Sequence, residues 1–212
     1  KLRILDAGLA ALPWEMLYDQ RFGEFLALAH DTPLVRYIEA PQPLQPLGIT
    51  PPLRILGMAV DPTGAIDLGQ ERANVERALA PMVSAGIVEL SWLAEGTWRE
   101  VQRSLRPGSG PWHIFHYLGH GGLHPGSGEG FLLLCDERGD ASPLGAADLG
   151  RLLAAHPTLR LAMLNACHGA AAGRGGIYSS VAGALVRRGV PAVVAMQFAI
   201  TQDAGFELSR TL

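Results

Sequence analysis

Short, almost continuously apolar segments recur along this chain, and amphipathic segments of helical length separate them. Such runs are typical of strands that helices bury on both faces, and their alternation with helices predicts an α/β fold with a largely parallel sheet. The predicted strands are 54–60, 87–93, 112–118, 160–166 and 192–196, and the predicted helices are 68–84, 97–105, 144–155, 177–188 and one that starts at Gln202.

The remaining segments have a different pattern. Residues 131–135, followed by turn formers at 137–140, predict a β-hairpin between the third and fourth main strands. Residues 1–50 alternate short apolar runs with turn formers, which predicts a small antiparallel region with a short helix from Pro13. We therefore divide the chain into an N-terminal β-rich region, 1–50, and a core, 51–212, joined by a proline-rich connector within one domain.

Composition excludes several classes of protein. The chain has 212 residues, of which 48% are hydrophobic and 17% charged. This length and apolar content are sufficient to form a buried core. The net charge of −3 lacks the basic excess that nucleic-acid and anionic-membrane binders use. No apolar stretch approaches the roughly 18 to 20 residues that span a bilayer, so we expect no membrane anchor. Two cysteines and no signal peptide indicate a reducing, cytoplasmic compartment.

Reactive residues follow two of the predicted strands. Gly119-His120-Gly121-Gly122 follows strand 112–118, and Cys167 follows strand 160–166. Functional groups gather at the carboxyl ends of parallel strands, and one crossover usually places its two strands side by side. The pattern therefore predicts a Cys167 nucleophile with His120 as its general acid/base, and the N–H groups of Gly121 and Cys167 as donors to an oxyanion.

The same residues also allow other interpretations. A strand-end cysteine can be a small core residue, and a histidine before Gly-Gly can belong to a simple turn. A Rossmann-like nucleotide site would suit the sheet, but the glycine-rich segments lack the phosphate-binding motifs. We expect no metal, because His113 and His116 have opposite parity on one strand. The second cysteine, Cys135, adjoins Asp136, which would raise a thiol pKa.

Four segments carry a family resemblance. They are HIFHYLGHG at 113–121, LAMLNAC at 161–167, VVAMQF at 193–198 and LPWEML at 12–17. Together they resemble the CHAT domain, a caspase-like group of cysteine peptidases related to separase. The resemblance covers nearly the whole chain and implies a caspase-haemoglobinase fold, a three-layer sandwich.

The resemblance also implies a function. It implies an endopeptidase acting on protein substrates through a Cys–His dyad without an obligatory third acid, with His120 and Cys167 as the dyad and no cofactor. Many relatives carry an acid after the last core strand. In this chain Gln202 occupies that position and the acid, Asp203, follows one place later as a candidate substrate-binding residue. The alternative is a catalytically silent interaction module. An activating partner, or a repeat domain outside this chain, is also expected.

Overall fold

The computed structural model describes residue 9 and residues 12–28, 48–166 and 177–196, without the side chains of 177–180. Its strands, in chain order, are β1 (Tyr18–Asp19), β2 (Glu24–Phe25), β3 (Leu53–Ala59), β4 (Val88–Trp92), β5 (Ile114–Leu118), β6 (Gly121–Leu123), β7 (Gly130–Cys135), β8 (Ala141–Gly145), β9 (Leu161–Asn165) and β10 (Ala192–Ala195). The α-helices whose bounds lie in these ranges are α1 (Leu68–Ser84), α2 (Trp98–Ser104), α3 (Ala146–Ala155) and α4 (Ile177–Arg187), and two 3-10 turns span Trp14–Met16 and Leu26–Leu28.

Five strands form one parallel sheet in the order β10-β9-β5-β3-β4. Residues Ile55, Ile114 and Leu161 lie side by side across its three central strands. Each strand lies within two residues of its predicted bounds, and so do the four helices. The prediction of a mixed α/β fold with a largely parallel sheet is confirmed, whereas the helix predicted from Gln202 lies outside the described residues.

One face of the sheet carries the hydrophobic core. Leu56, Phe115 and Ala162 lie in register across β3, β5 and β9, and each side chain is almost fully buried. Side chains of α2, α3 and α4 belong to the same cluster, for example Leu153 and Leu185. Every second side chain of a strand points to the same face of the sheet, so alternate residues of these strands pack against three amphipathic helices.

Helix α1 packs at the edge of the other face. The Trp92 ring lies directly over Gly57, where a Cβ would stand 2.4 Å from it. From α1, Glu76 accepts a hydrogen bond from the Trp92 indole at 2.8 Å, and the Arg72 guanidinium lies 5.0 Å from the ring centre. Glycine at position 57 is therefore what lets this aromatic side chain lie flat between the sheet and α1.

A second sheet of three antiparallel strands, in the order β6-β7-β8, stands beside the first. The predicted hairpin is its β7–β8 pair, but β6 was not predicted, because Gly121 and Gly122 lack the side chains that indicate a strand. Gly122 is needed there, since the Phe131 ring occupies the position of a Cβ at 2.4 Å. A bridge between Thr97 and Cys135 joins the end of β7 to the segment after β4.

The described part of the N-terminal region contains one short antiparallel pair of strands. Strands β1 and β2 pair through Tyr18 and Phe25, whose rings meet edge to face with centres 5.2 Å apart. The short helix predicted from Pro13 is a single 3-10 turn over Trp14–Met16. The boundary between 1–50 and 51–212 stays a prediction. Within the described ranges, no helix combines the length and apolar character needed to cross a membrane.

Candidate active site

The carboxyl ends of β5 and β9 meet at one edge of the parallel sheet. The two strands pair directly, and the Gly119 N–H donates to the Asn165 carbonyl at 3.1 Å, one residue beyond the last paired position of β5. The sequence predicted that these strands are neighbours, and the pairing confirms it. His120 follows Gly119 directly, so its position is fixed relative to the end of β9.

The main chain of His120 is held from two directions. Its carbonyl accepts hydrogen bonds from the Tyr117 hydroxyl at 2.7 Å and from the Leu133 N–H at 2.9 Å. The Tyr117 ring is completely buried, and its hydroxyl also lies 2.9 Å from the Leu133 carbonyl. A buried phenol hydroxyl needs such partners, and here they join the end of β5 to the middle of β7.

The His120 side chain, 10% exposed, points toward the segment that follows β3. Its Nε2 lies 2.9 Å from Oδ1 of Asp61 and 3.0 Å from Oγ1 of Thr63. Strand β3 pairs with β5 on the side opposite β9, which is why Asp61 reaches this histidine. The imidazole therefore has a carboxyl and a hydroxyl group at one of its nitrogens.

Asp61 is the centre of a tight local turn. Its Oδ1 accepts from the Thr63 N–H at 2.8 Å and the Thr63 hydroxyl at 2.6 Å, and its Oδ2 accepts from the Ile66 N–H at 2.6 Å. Burial of the carboxyl opposes ionisation, but these hydrogen bonds and the neighbouring His120 outweigh it. They hold the pKa of Asp61 well below its usual range.

Gly121 begins β6 and lies opposite Leu132 of β7. The neighbouring pair, His120 and Leu133, is hydrogen-bonded through the His120 carbonyl. Because bonded and non-bonded pairs alternate in an antiparallel ladder, Gly121 and Leu132 form a pair without mutual hydrogen bonds. The Gly121 N–H therefore points away from β7, toward the open edge of the three-stranded sheet.

A family comparison agrees with the four segments that carry the sequence resemblance. The model of the CHAT domain matches residues 2–212 of this chain. The chain belongs to the CHAT family. A comparison with curated proteins returns no match. CHAT domains are caspase-like, so the family that the sequence motifs indicated is confirmed.

Two of the residues that the sequence assigned to this CHAT site lie outside the described residues. They are Cys167, which follows Ala166 at the end of β9, and Asp203, beyond the last described residue, Met196. Their assigned roles, nucleophile and substrate-binding residue, stay predictions. The described residues place His120 and Gly121 at the sheet edge to which β9 leads.

The sequence did not predict Asp61 and Thr63 as residues of the site. The rule that found His120 and Cys167 inspects the residues just after each strand, and it applies equally to β3, since Asp61 comes two residues after Ala59. The Asp-Pro-Thr segment at 61–63 also has the character of a turn in which an aspartate caps its own backbone. Neither signal indicates that β3 and β5 are neighbours.

Cys135, His113 and His116 are the other side chains of the CHAT domain that the sequence singled out. Burial, then Asp136 and Asp61, raise the pKa of the Cys135 thiol, as its sequence position predicted. His113 accepts from the Arg54 N–H at 2.9 Å, whereas His116 lies against Trp92 with ring centres 6.4 Å apart. Over the described ranges, no three His, Cys, Asp or Glu residues are grouped so that they could hold a metal ion.

Proposed function

We propose that this CHAT domain is a cysteine endopeptidase with the caspase-haemoglobinase fold, in which Cys167 is the nucleophile and His120 the general acid/base. The observation that carries the proposal is the Gly119–Asn165 hydrogen bond, 3.1 Å long, which joins the ends of β5 and β9. Two peptide units separate Cys167 from Asn165, so their Cα atoms are within about 7 Å of each other. The proposal therefore assigns the Cys167 thiol to the edge of the sheet at which His120 lies.

The geometry of His120 supports the role of general acid/base. Its Nε2 is engaged by Asp61 and Thr63, so proton exchange with the thiol and the substrate falls to Nδ1. In the proposed reaction Sγ of Cys167 attacks the peptide carbonyl carbon and releases its proton to His120. His120 then protonates the departing amine and later takes a proton from the water that hydrolyses the thioester.

The direction of the Gly121 N–H supports an oxyanion site. An oxyanion needs donors that are not used elsewhere, and the strand register directs this N–H away from β7. The proposed second donor is the Cys167 N–H. Asp203 is a proposed substrate-binding residue. The proposed substrate is a protein segment, and a further domain or partner is the proposed activator.

Cleavage profiling tests the proposal. The 212-residue chain is incubated with a diverse peptide library, and the new termini are identified by mass spectrometry. We expect cleavage by the wild-type chain and no cleavage by Cys167→Ala or by His120→Ala. The matched control is Cys135→Ala, which removes the other thiol of the chain and should cleave like the wild type.

Two outcomes speak against the proposal. Cleavage that persists in Cys167→Ala would exclude Cys167 as the nucleophile. No cleavage by the wild type, alone or with candidate partner domains added, would favour the silent interaction module instead.

A further inference from the structure

We propose that Asp61 is the positioning residue of this site, which holds His120 as the tautomer with its proton on Nε2 and so assigns the acid/base role to Nδ1. The resemblance implied a dyad without an obligatory acid, so the presence of this carboxylate extends what the family motifs predict. The catalytic part of the inference rests on the proposed function, but the contact itself does not.

The hydrogen bonds around Nε2 allow one assignment of protons. An ionised carboxylate only accepts hydrogen bonds, so the Thr63 hydroxyl, 2.6 Å from Oδ1 of Asp61, must donate its single proton there. The Thr63 oxygen then faces His120 as an acceptor at 3.0 Å, and Asp61 Oδ1 is an acceptor at 2.9 Å. Because both neighbours of Nε2 are acceptors, Nε2 carries the proton.

The carboxylate is held firmly enough to act as a positioning group. The Asp61 side chain is 1% exposed, and its two oxygens accept three donors from its own turn, two from Thr63 and one from Ile66. A rotation of the carboxylate would break these bonds in a place that water does not reach. The ring is thus fixed through Asp61, and the main chain of His120 is fixed through the Tyr117 hydroxyl.

This arrangement would assist the proposed reaction in two ways. A ring held in one tautomer and one orientation needs no rearrangement before it exchanges a proton with the thiol. When His120 takes the proton, the resulting imidazolium has a carboxylate 2.9 Å away, which stabilises the charge. A purely structural Asp61 would shape the turn before α1 and do neither.

The tautomer of His120 separates these two roles. Long-range proton–nitrogen NMR correlations of the ¹⁵N-labelled chain distinguish the two neutral imidazole tautomers, and the His120 signals are assigned by their loss in His120→Gln. In the spectrum of the neutral imidazole we expect the Nε2–H pattern in the wild type. In Asp61→Ala we expect a mixture of both tautomers.

Asp61→Asn is the conservative variant. An amide has one acceptor oxygen, and placing it at the Oδ1 position keeps three hydrogen bonds and loses the one to Ile66, whereas the opposite orientation loses three and keeps one. We therefore expect the amide oxygen of this variant to accept from Nε2 and to preserve most of the Nε2–H tautomer. The variant also tests the proposal if Asp61→Ala does not fold, which thermal unfolding monitored by circular dichroism would reveal.

The matched control is Asp67→Ala. Asp67 belongs to the same connecting segment and caps α1 by accepting from the Gln70 N–H at 2.9 Å, six residues from Asp61. Its replacement removes the same charge and a local hydrogen bond of the same kind. We expect the His120 tautomer of Asp67→Ala to equal that of the wild type.

The rate of peptide cleavage is the second measurement that tests the role of Asp61. We expect kcat to fall at least roughly 10-fold in Asp61→Ala with KM changed less than about twofold, and a smaller loss in Asp61→Asn. A wild-type chain without the Nε2–H pattern, or an Asp61→Ala chain that keeps it unchanged, would overturn the inference. If the tautomer shifts in Asp61→Ala but the wild type cleaves nothing, the proposed function is wrong, whereas the conclusion that Asp61 fixes the tautomer of His120 remains.

Discussion

The Gly119 N–H and the Asn165 carbonyl are 3.1 Å apart, and this hydrogen bond joins the end of β5, just before His120, to the end of β9, just before Ala166 and Cys167 in the sequence. It extends the ladder between β5 and β9 beyond their last paired residues, Leu118 and Asn165. Nothing larger than glycine fits at position 119. A Cβ there would stand 2.5 Å from the Tyr117 hydroxyl oxygen and 2.5 Å from the Val60 carbonyl oxygen.

Gly119→Ala is therefore expected to destabilise the domain and to displace His120. The Val60 carbonyl belongs to the main chain and cannot rotate away, so the strand ends must separate. Overpacking of this kind costs about 1 to 3 kcal/mol in the free energy of unfolding. Urea unfolding measures the cost, and peptide cleavage should fall as well.

The control for this prediction is Gly126→Ala, in the connection between β6 and β7. A Cβ at position 126 meets nothing within 4 Å, so we expect a change within about 0.5 kcal/mol. Equal losses at positions 119 and 126 would mean that close approach at the strand ends is not what requires glycine.

The parallel sheet could be predicted because its strands are short, mainly apolar runs that alternate with segments of helical length. The segment 112–118 contains β5 in full, and its carboxyl end directed attention to His120. Strand β6 was missed since Gly121 and Gly122 offer no hydrophobic pattern, although one of them exists to receive the Phe131 ring. Hydrophobic periodicity indicates which side chains are buried, and a glycine has no side chain that could contribute to the pattern.

Asp61 could not be predicted as a partner of His120 because their contact depends on the lateral order of the strands. The two residues are 59 positions apart and meet only because β3 lies between β4 and β5. Many sheet orders satisfy the same succession of strands and helices. The sequence supplies the groups at the strand ends, and the order of the sheet decides which of them meet.

Glu100 is expected to stabilise the connection between β4 and α2. Its two carboxyl oxygens accept from the Ala94 N–H at 2.9 Å and the Glu95 N–H at 2.6 Å, and the side chain is 5% exposed. Glu100→Ala leaves two donors without their partner, which should cost about 2 to 3 kcal/mol in the free energy of unfolding, measured with urea. Glu100→Gln keeps one acceptor and should lose less.

Glu95→Ala is the matched control, because the Glu95 side chain is exposed and only its N–H takes part in this contact. We expect it to change stability by less than about 0.5 kcal/mol. If Glu100→Ala costs no more than Glu95→Ala, the hydrogen bonds of Glu100 do not hold the connection.

The Cys135 thiol is expected to react slowly with alkylating reagents. Burial, Asp136 and Asp61 all raise its pKa, so little thiolate exists near neutral pH. An ordinary thiol, with a pKa of about 8.5, reaches its full rate near about pH 9.5. In the Cys167→Ala chain, iodoacetamide labelling of Cys135 should reach half of its full rate at a pH above that of an ordinary thiol, about 8.5, as measured by mass spectrometry. A rate that is level by about pH 9 would contradict the raised pKa.

His116 is expected to make the fold sensitive to mild acid. Burial on β5 lowers the pKa of His116 to about 4, and its Nε2 has no hydrogen-bond partner in the part of the chain that the structure describes. In the unfolded chain a histidine has a pKa of about 6.5, so between about pH 6.5 and 4 the unfolded state binds more protons. Stability therefore falls as the pH is lowered through this range.

His116→Leu tests this linkage. Between about pH 7.5 and pH 5.0 the native chain should lose about 2 kcal/mol of unfolding free energy through His116 alone, and the leucine variant should lose that much less. At about pH 7.5 the variant should be at least as stable as the native chain, because leucine is similar in size and replaces a buried polar atom that makes no hydrogen bond to the described residues. Urea unfolding at the two pH values measures both quantities. Equal losses in the two proteins would mean that His116 is protonated in the folded state by about pH 5, against the burial beside Trp92 that the fold gives it.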